Sequence, residues 1–346
     1  MSGAAKEGPS TLLEYLQVTT TFFTGKGIEG ARLDAELLLA EVLGLTRTQL
    51  YTNFERPLAR EEVDRFRELV RRRSAREPVA YITGRREFWS IDFEVDRRVL
   101  VPRPETELLV EIVVDLLKPR RQPVLRDDDG ESGEVGDGAA ATGDDASVPA
   151  AIAAAPAPVG EPASESRSAE ATRAPLIADI GTGSGAIAVA LAKELPTARI
   201  VATDKSASAL ELAPANAARA GVETRIEFRL GDGCAALAGL GPFDVIVSNP
   251  PYVKSGEMGG LEPEVREWEP RWALESGAGG MDVTAPLVDE AFDFLVPGGS
   301  LLVEVGTQAA EVRACFERRG YEGVAVRRDL AGLDRVVLGR RPGGTE

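Results

Sequence analysis

The sequence predicts an α/β fold with a mostly parallel sheet and a smaller helical region ahead of it. After residue 175, short apolar segments rich in β-branched residues alternate with segments of helical periodicity, a pattern typical of βαβ units. Before residue 76, apolar residues recur at helical spacing, as Val63, Phe66 and Val70 do. We therefore expect a helical domain followed by an α/β domain.

Composition divides the chain into five segments. Residues 1–10 predict a disordered tail, 11–76 a helical domain, and 77–118 a β-hairpin bridge with a following helix. Residues 119–174 consist largely of Ala, Pro, Gly, Ser, Asp and Glu and contain no aromatic residue. Such a segment buries too little apolar surface to offset the entropy of ordering, so it predicts a disordered acidic insertion. Residues 175–340 form the predicted α/β domain.

Seven strands are predicted in the α/β domain. They are Leu176–Ile180, Arg199–Thr203, Arg225–Leu230, Phe243–Ser248, Ser300–Glu304, Gly323–Arg327 and Arg335–Leu338. The last two are joined by a short connection, so we expect them to be antiparallel. Ligands in such folds bind beyond the carboxyl ends of the strands. In the bridge, the aromatic and β-branched residues of 79–95 predict a hairpin around Gly84.

Composition also excludes several kinds of chemistry. The chain has no histidine, which rules out histidine-dependent nucleophiles, imidazole bases and histidine metal ligands. Its two cysteines lie far apart and predict neither a disulfide framework nor a zinc site, so we expect no metal and a reducing, cytoplasmic setting. No secretory signal and no apolar run of about 18 residues occur, so no membrane span is expected. The net charge of −16 argues against a broad nucleic-acid surface, although part of the acid lies in 119–174.

A glycine-rich turn follows the first strand of the α/β domain. It reads Gly181-Thr182-Gly183-Ser184-Gly185, and a helix starts near its end. Glycines let the backbone approach a ligand closely, although a plain tight strand-to-helix connection would use the same residues. Two features favour S-adenosylmethionine over NAD. The spacing is GxGxG rather than GxGxxG, and Asp179 can direct its carboxylate toward a cationic ligand end.

Two further acids follow the next strands. Asp204 ends the second strand, where a carboxylate can accept hydrogen bonds from ribose hydroxyls. NAD enzymes share that placement, and the same residue could instead cap a helix starting at Ser206. Asp232 and Gly233 follow the third strand and could border the adenine or form an ordinary turn.

The fourth strand ends in Asn249-Pro250-Pro251-Tyr252, the sharpest signal in the sequence. The prolines fix their own φ angles and restrict the residues before them, so the loop is rigid. The alternative is a proline-rich turn that merely ends a strand. We expect the Asn249 side-chain oxygen and the Pro250 carbonyl to accept both hydrogens of a planar NH₂ group, with Tyr252 against its flat face. Gripping an amide or adenine amino group in this way would aim its lone pair at a methyl carbon without any histidine base.

The chain resembles the HemK/PrmC family of protein-(glutamine-N5) methyltransferases. The resemblance rests on Glu77–Gly84, Val99–Glu107, the glycine turn, Asn249–Tyr252 and Arg328–Arg335. It implies a helical substrate-recognition domain, a hairpin bridge and a class I (Rossmann-like) methyltransferase sheet with an antiparallel last strand. It also implies that Asn249 and Pro250 hold the glutamine of a Gly-Gly-Gln motif in class I peptide chain release factors. The insertion at 119–174 departs from the family, as does Gly233, where some members carry an aromatic residue near the cofactor.

Other functions remain open from the residues alone. The Asn-Pro-Pro-Tyr loop is shared with DNA adenine methyltransferases, so adenine N6 or guanine N2 methylation is the main alternative. A non-catalytic cofactor-binding scaffold and an NAD-dependent oxidoreductase agree less well with Asn249 and with the lack of a proton relay. We expect a monomer with no direct nucleic-acid contact. The basic cluster at Arg71–Arg73 and Arg76 would form a solvated helix end or a contact to ribosome-bound partners.

Overall fold

The computed structural model of the protein describes residues 9–118 and 173–343. Most of the predicted tail and insertion lie outside the described residues. All described residues except Arg173 belong to one compact unit of the chain. No helix within these ranges is both long and apolar enough to cross a membrane.

The region before the sheet is helical, as predicted. Its helices are α1 (Leu12–Gly25), α2 (Ala31–Leu43), α3 (Arg47–Tyr51), α4 (Arg60–Ser74) and α5 (Val79–Thr83). Thr11 begins α1 with a capping box, because its hydroxyl accepts from the Glu14 N–H while the Glu14 carboxylate accepts from the Thr11 N–H. Leu16, Phe23 and Phe66 are buried where α1, α2 and α4 pack together.

The bridge contains the predicted hairpin, but at a different position. Its strands are β1 (Arg85–Phe88) and β2 (Ile91–Glu94), and the turn falls at Trp89 and Ser90, both with positive φ. The prediction that the hairpin centres on Gly84 is wrong, because residues 79–83 form α5 and Gly84 ends that helix at φ 73°. Burial of Tyr81 and Ile82 outweighs the β-propensity of this stretch.

The α/β domain follows a short 3₁₀ turn at Pro104–Thr106. Its helices are α6 (Glu107–Leu117), α7 (Ala186–Glu194), α8 (Ala209–Ala220), α9 (Pro263–Trp268), α10 (Thr284–Phe294) and α11 (Ala309–Arg319). Its strands are β3 (Leu176–Ile180), β4 (Arg199–Asp204), β5 (Ile226–Leu230), β6 (Phe243–Ser248), β7 (Leu295–Glu304), β8 (Glu322–Arg328) and β9 (Asp334–Arg340). All seven predicted strands are therefore confirmed.

The strands form one seven-stranded sheet in the order β5-β4-β3-β6-β7-β9-β8. Strands β5, β4, β3, β6 and β7 run parallel, whereas β9 is antiparallel to both of its neighbours. The predicted fold class and the antiparallel last pair are confirmed. Strand order reverses direction between β3 and β6, which opens a crevice at their carboxyl ends.

Candidate active site

A cavity of about 390 Å³ lies at the carboxyl ends of β3, β4, β5 and β6. Most of the predicted site residues line it: Gly181, Thr182, Gly183, Ser184, Asp204, Asp232, Gly233, Asn249, Pro250 and Pro251. Asp179, Gly185 and Tyr252 do not. The sheet thus brings the glycine turn and the Asn-Pro-Pro loop, which are more than 60 residues apart in sequence, together as two walls of one cavity.

The glycine turn is held to the end of β4 by its backbone. The N–H groups of Gly181 and Thr182 both donate to the Thr203 carbonyl at 2.8 Å. The Gly183 N–H donates to Asp204 Oδ2 at 2.9 Å. Gly185 does not face the cavity but begins α7 at φ 83°, where a Cβ atom would meet the Ala213 Cβ at 3.2 Å. Glycine is therefore required there by both conformation and space.

Asp179 supports this turn from beneath. Its side chain is fully buried, and Oδ2 accepts from the Thr182 hydroxyl at 2.7 Å and from the Ala188 N–H at 3.2 Å. Burial raises the pKa of Asp179 to about 7. The carboxylate braces the loop, and its predicted direct contact with a cationic ligand stays a prediction.

Asp204 lies at the cavity wall and is 3% exposed. Besides the bond from Gly183, its Oδ1 accepts from the Ser206 N–H at 2.8 Å. Burial raises the pKa of Asp204, while the two N–H groups oppose that rise. Helix α8 begins only at Ala209, so Asp204 does not cap it, and the predicted ribose contact stays a prediction.

Asp232 and Gly233 continue the wall beyond β5. Gly233 has φ 52° and begins a 3₁₀ turn. A Cβ at Gly233 would find only Glu290 Oε2 nearby, at 3.8 Å. This part of the wall is therefore roomy, which agrees with the absence of an aromatic side chain there.

Asn249 follows β6 and belongs to the second wall of the cavity. Its Nδ2 donates to the Thr106 hydroxyl oxygen at 3.1 Å, across 143 positions of sequence. The preceding residue, Ser248, is also held, because its hydroxyl donates to the Ile180 carbonyl at 2.7 Å. With its nitrogen engaged, Asn249 has its side-chain oxygen left to accept from a substrate.

Thr106 and Glu304 are residues that the sequence analysis missed. They are 4% and 1% exposed, and a hydrogen bond with Thr106 lowers the pKa of Glu304. Burial has the larger effect and raises that pKa to about 7. The available signal was a carboxylate at the end of an otherwise apolar strand, Leu301-Leu302-Val303-Glu304.

Tyr252 lies outside the cavity lining. Its ring lies against Gly306, where an added Cβ would come within 2.8 Å of a ring carbon. Its carbonyl accepts from Gln308 Nε2 at 2.6 Å, and burial raises the pKa of the phenol to about 12. Its predicted position against a flat substrate group stays a prediction.

Arg103 also lines the cavity, and its partner is Glu269. The Glu269 side chain is 1% exposed, and its second oxygen accepts from the Val101 N–H at 3.2 Å. Glu105, which the sequence places beside Arg103, is exposed instead. The fold thus brings a carboxylate from 166 positions away in sequence to the Arg103 guanidinium.

The basic cluster on α4 is largely paired inside the protein. Arg73 is buried and binds Asp34 and Glu264, each at 2.7 Å, joining the N-terminal helices to α9. Arg72 binds Glu77 at 2.6 Å. The expectation of a solvated helix end holds only for Arg71, whose side chain is 73% exposed.

Over the described residues, no three His, Cys, Asp or Glu side chains lie close enough to hold a metal ion.

Known proteins match nearly the whole chain. A family model of the PrmC N-terminal domain matches residues 14–84, and one of the methyltransferase small domain matches 168–260. A release factor glutamine methyltransferase of Rhodopirellula baltica is 37% identical over 339 residues, 97% of this chain and 98% of the relative. One of Geobacter sulfurreducens is 39% identical over 331 residues, 95% and 96% of the two chains. This chain belongs to the release factor glutamine methyltransferase family.

Family membership confirms the resemblance drawn from the motifs. The first matched region corresponds to the N-terminal helices and the second to the part of the α/β domain that contributes most of the cavity lining. The first extends over α1 to α5 and ends at Gly84. The second contains the glycine turn, Asp204 and the Asn249 loop, all of which line the cavity, whereas Thr106 and Glu304 lie outside the matched range.

Proposed function

We propose that this protein transfers a methyl group from S-adenosylmethionine to the side-chain amide nitrogen of the glutamine in the Gly-Gly-Gln motif of class I release factors. Family membership supports the reaction class. The observation that carries the proposal is the Asn249 Nδ2–Thr106 bond, because it leaves the Asn249 oxygen to accept from a substrate NH₂ group.

The residues of the first wall suit the proposed cofactor. Glycines with left-handed backbone at 181 and 183 leave room for close approach, and the Asp204 carboxylate at the cavity wall would accept hydrogen bonds from the ribose hydroxyls. Asp232 and Gly233 leave space for a flat base beyond β5. When bound, S-adenosylmethionine supplies an electrophilic methyl carbon attached to sulfur.

The second wall suits a planar amide. An amide nitrogen is a poor nucleophile because its lone pair is delocalised. Asn249 Oδ1 and the Pro250 carbonyl would accept its two hydrogens, fix its plane and stabilise the positive charge that develops on nitrogen. Pro250 and Pro251 keep these acceptors in place. The methylated amide is acidic enough to lose its proton to water, so a chain without histidine can complete the reaction.

Nucleic-acid methylation is the less favoured alternative. Arg72 and Arg73 are neutralised by carboxylates of the same chain and would have to give up these pairs to bind phosphates. The release factor is therefore the proposed partner, and the cytoplasm, where translation occurs, is the proposed location. A monomer without direct nucleic-acid binding stays a prediction.

The substrate is tested by incubating the full chain with a purified class I release factor and S-adenosylmethionine, followed by peptide mass spectrometry. We expect a gain of one methyl group on the Gly-Gly-Gln glutamine. A release factor carrying Gln→Ala at that position is the control and should gain none. Methyl transfer to DNA, with the release factor unmodified, would overturn the assignment.

The role of Asn249 is tested with Asn249→Ala. Removal of one preorganised acceptor should lower turnover about 10²–10³-fold. Binding of S-adenosylmethionine, measured by calorimetry, should persist because the first wall is intact. Turnover equal to that of the unaltered protein would remove Asn249 from the catalytic assignment.

A further inference from the structure

The orientation of the Asn249 amide is the point on which the proposed function depends. The two ends of an asparagine amide have nearly the same shape but opposite hydrogen-bonding roles. If the amide were turned over, its NH₂ would face the substrate NH₂, and two donors would meet. Some feature of the site must therefore hold the oxygen toward the cavity.

Thr106 alone does not decide that orientation. A hydroxyl can donate or accept, so it would satisfy either end of the Asn249 amide. Its position, however, is well defined. The Thr106 N–H donates to the Arg103 carbonyl at 3.1 Å within the 3₁₀ turn, and Arg103 is in turn bound to the buried Glu269. The hydroxyl is thus held beside Asn249 by a turn that the Arg103–Glu269 ion pair anchors to the α/β domain.

Glu304 lies beside Asn249 because of the strand pairing in the sheet. In the parallel pairing of β6 and β7, Ser248 lies opposite Val303. The next residues along the two strands, Asn249 and Glu304, therefore emerge side by side at the carboxyl edge. The Thr106 hydroxyl accepts from Asn249 and is close enough to Glu304 to lower the pKa of that carboxyl. Among the described residues, the buried Oε2 of Glu304 has no hydrogen-bond partner, so it is an acceptor that still needs a donor.

We propose that Thr106 and Glu304 are positioning residues for the reaction, and that the Glu304 carboxylate sets the direction of the hydrogen bonds. An ionised carboxylate only accepts, so the Thr106 hydroxyl donates its hydrogen to Glu304. The Thr106 oxygen can then only accept from Asn249, which turns Nδ2 toward Thr106 and Oδ1 toward the substrate amide. The inference rests on the proposed function.

The donor–acceptor direction of the hydrogen bonds from Asn249 through Thr106 should depend on the charge of Glu304. Protonated Glu304 can donate to Thr106, which frees the hydroxyl to donate to Asn249 and favours the overturned amide. Because burial raises the pKa of Glu304 to about 7, turnover should fall as pH drops through that region and level off above it. The groups facing Glu304 are Thr106, Arg335, Glu105 and Arg103. The two arginines lower the pKa of Glu304, whereas Glu105 raises it. The Tyr252 phenol also faces Glu304 and stays neutral, with a pKa of about 12.

The decisive experiment compares Thr106→Val with Thr106→Ser. Valine keeps the shape but removes the hydroxyl, so kcat should fall about tenfold to a hundredfold, the size expected for a misplaced catalytic group. The KM values for the release factor and for S-adenosylmethionine should change little, and serine should restore kcat. Thr19→Val, the same change at a buried threonine on α1, is the matched control and should leave kcat unaltered.

A second measurement tests Glu304 by the pH profile of kcat. The unaltered protein should show an acid limb near pH 7, and Glu304→Gln should lack it because the amide does not titrate. A limb that is unchanged in Glu304→Gln, or a Thr106→Val variant with normal kcat, would overturn the positioning role. Failure of the proposed function has a different signature, because Asn249→Ala would then also leave turnover unaltered.

Discussion

The two walls of the cavity are built in different ways. The glycine-turn wall is comparatively local: its contacts join residues within one βαβ unit, such as Gly183 and Asp204 at 21 positions' separation, and most involve backbone N–H groups. The Asn249 wall is assembled from Thr106, Asn249 and Glu304, which lie on three distant segments and meet through side chains. A local wall can be recognised from a motif, whereas an assembled wall depends on the register of the whole sheet.

The difference also separates the proposed roles. The local wall would hold a cofactor through a loop shaped by its own glycines. The assembled wall would orient a substrate amide through side chains whose directions depend on one another. Damage to the first wall should therefore appear mainly in cofactor affinity, and damage to the second in stability and kcat.

The largest expected effect comes from Arg103→Ala, which removes the anchor of the assembled wall. Glu269 would keep a buried carboxylate without a cation, and its own burial already raises its pKa. We expect the free energy of unfolding to fall by about 3 kcal/mol, the lower end for a broken buried pair because Arg103 is partly exposed. Denaturant unfolding followed by circular dichroism measures it.

Arg271→Ala is the matched control for that change. Arg271 forms an exposed ion pair with Glu275 in the same region, with 71% of the arginine side chain exposed. Such surface pairs contribute little, so no measurable loss of stability is expected. Equal losses in the two variants would contradict the view that a buried anchor supports this wall.

An intermediate effect is expected from Asp204→Ala on the local wall. The change removes acceptors for the Gly183 and Ser206 N–H groups. Hydrogen bonds to charged groups contribute about 1.5–3 kcal/mol, so the Kd for S-adenosylmethionine should rise about tenfold to a hundredfold. At saturating cofactor, kcat should change little. Calorimetry and steady-state kinetics measure the two quantities.

Asp204→Asn is the milder variant for the same test, because one side-chain oxygen remains to accept a hydrogen bond from a backbone N–H group. Its Kd should lie between those of the unaltered protein and Asp204→Ala. A fall in kcat with no change in Kd would show that the two walls do not act separately.

The smallest effect is expected from Gly233→Ala. Its positive φ is unfavourable for alanine by about 1 kcal/mol, but the space around it is open, with Glu290 Oε2 at 3.8 Å. Gly185 also has a positive φ, but Gly185→Ala would bring its Cβ to 3.2 Å from the Ala213 Cβ, so this change should lower the melting temperature further. If calorimetric scans give the same melting temperature for both, crowding at Gly185 has no effect.

Much of the fold could be predicted because its signals are local. Leu176–Ile180 and Phe243–Ser248 have the predicted limits, since apolar runs and flanking turn residues mark both ends. The hairpin was misplaced because β-branched and aromatic residues at 79–83 were buried as a helix turn instead. Composition alone could not reveal that packing.

Less of the site could be predicted, and the gaps have one physical origin. The sequence by itself determined the glycine turn, the rigid Asn-Pro-Pro-Tyr loop and a chemistry without histidine, because backbone preferences and residue types act over a few neighbouring positions. Only the tertiary structure decided that Asp179 lies beneath the turn, that Arg103 pairs with Glu269, and that Thr106 and Glu304 flank Asn249. Strand register and domain packing set these partners, and they join Arg103 to Glu269 across 166 positions and Thr106 to Asn249 across 143.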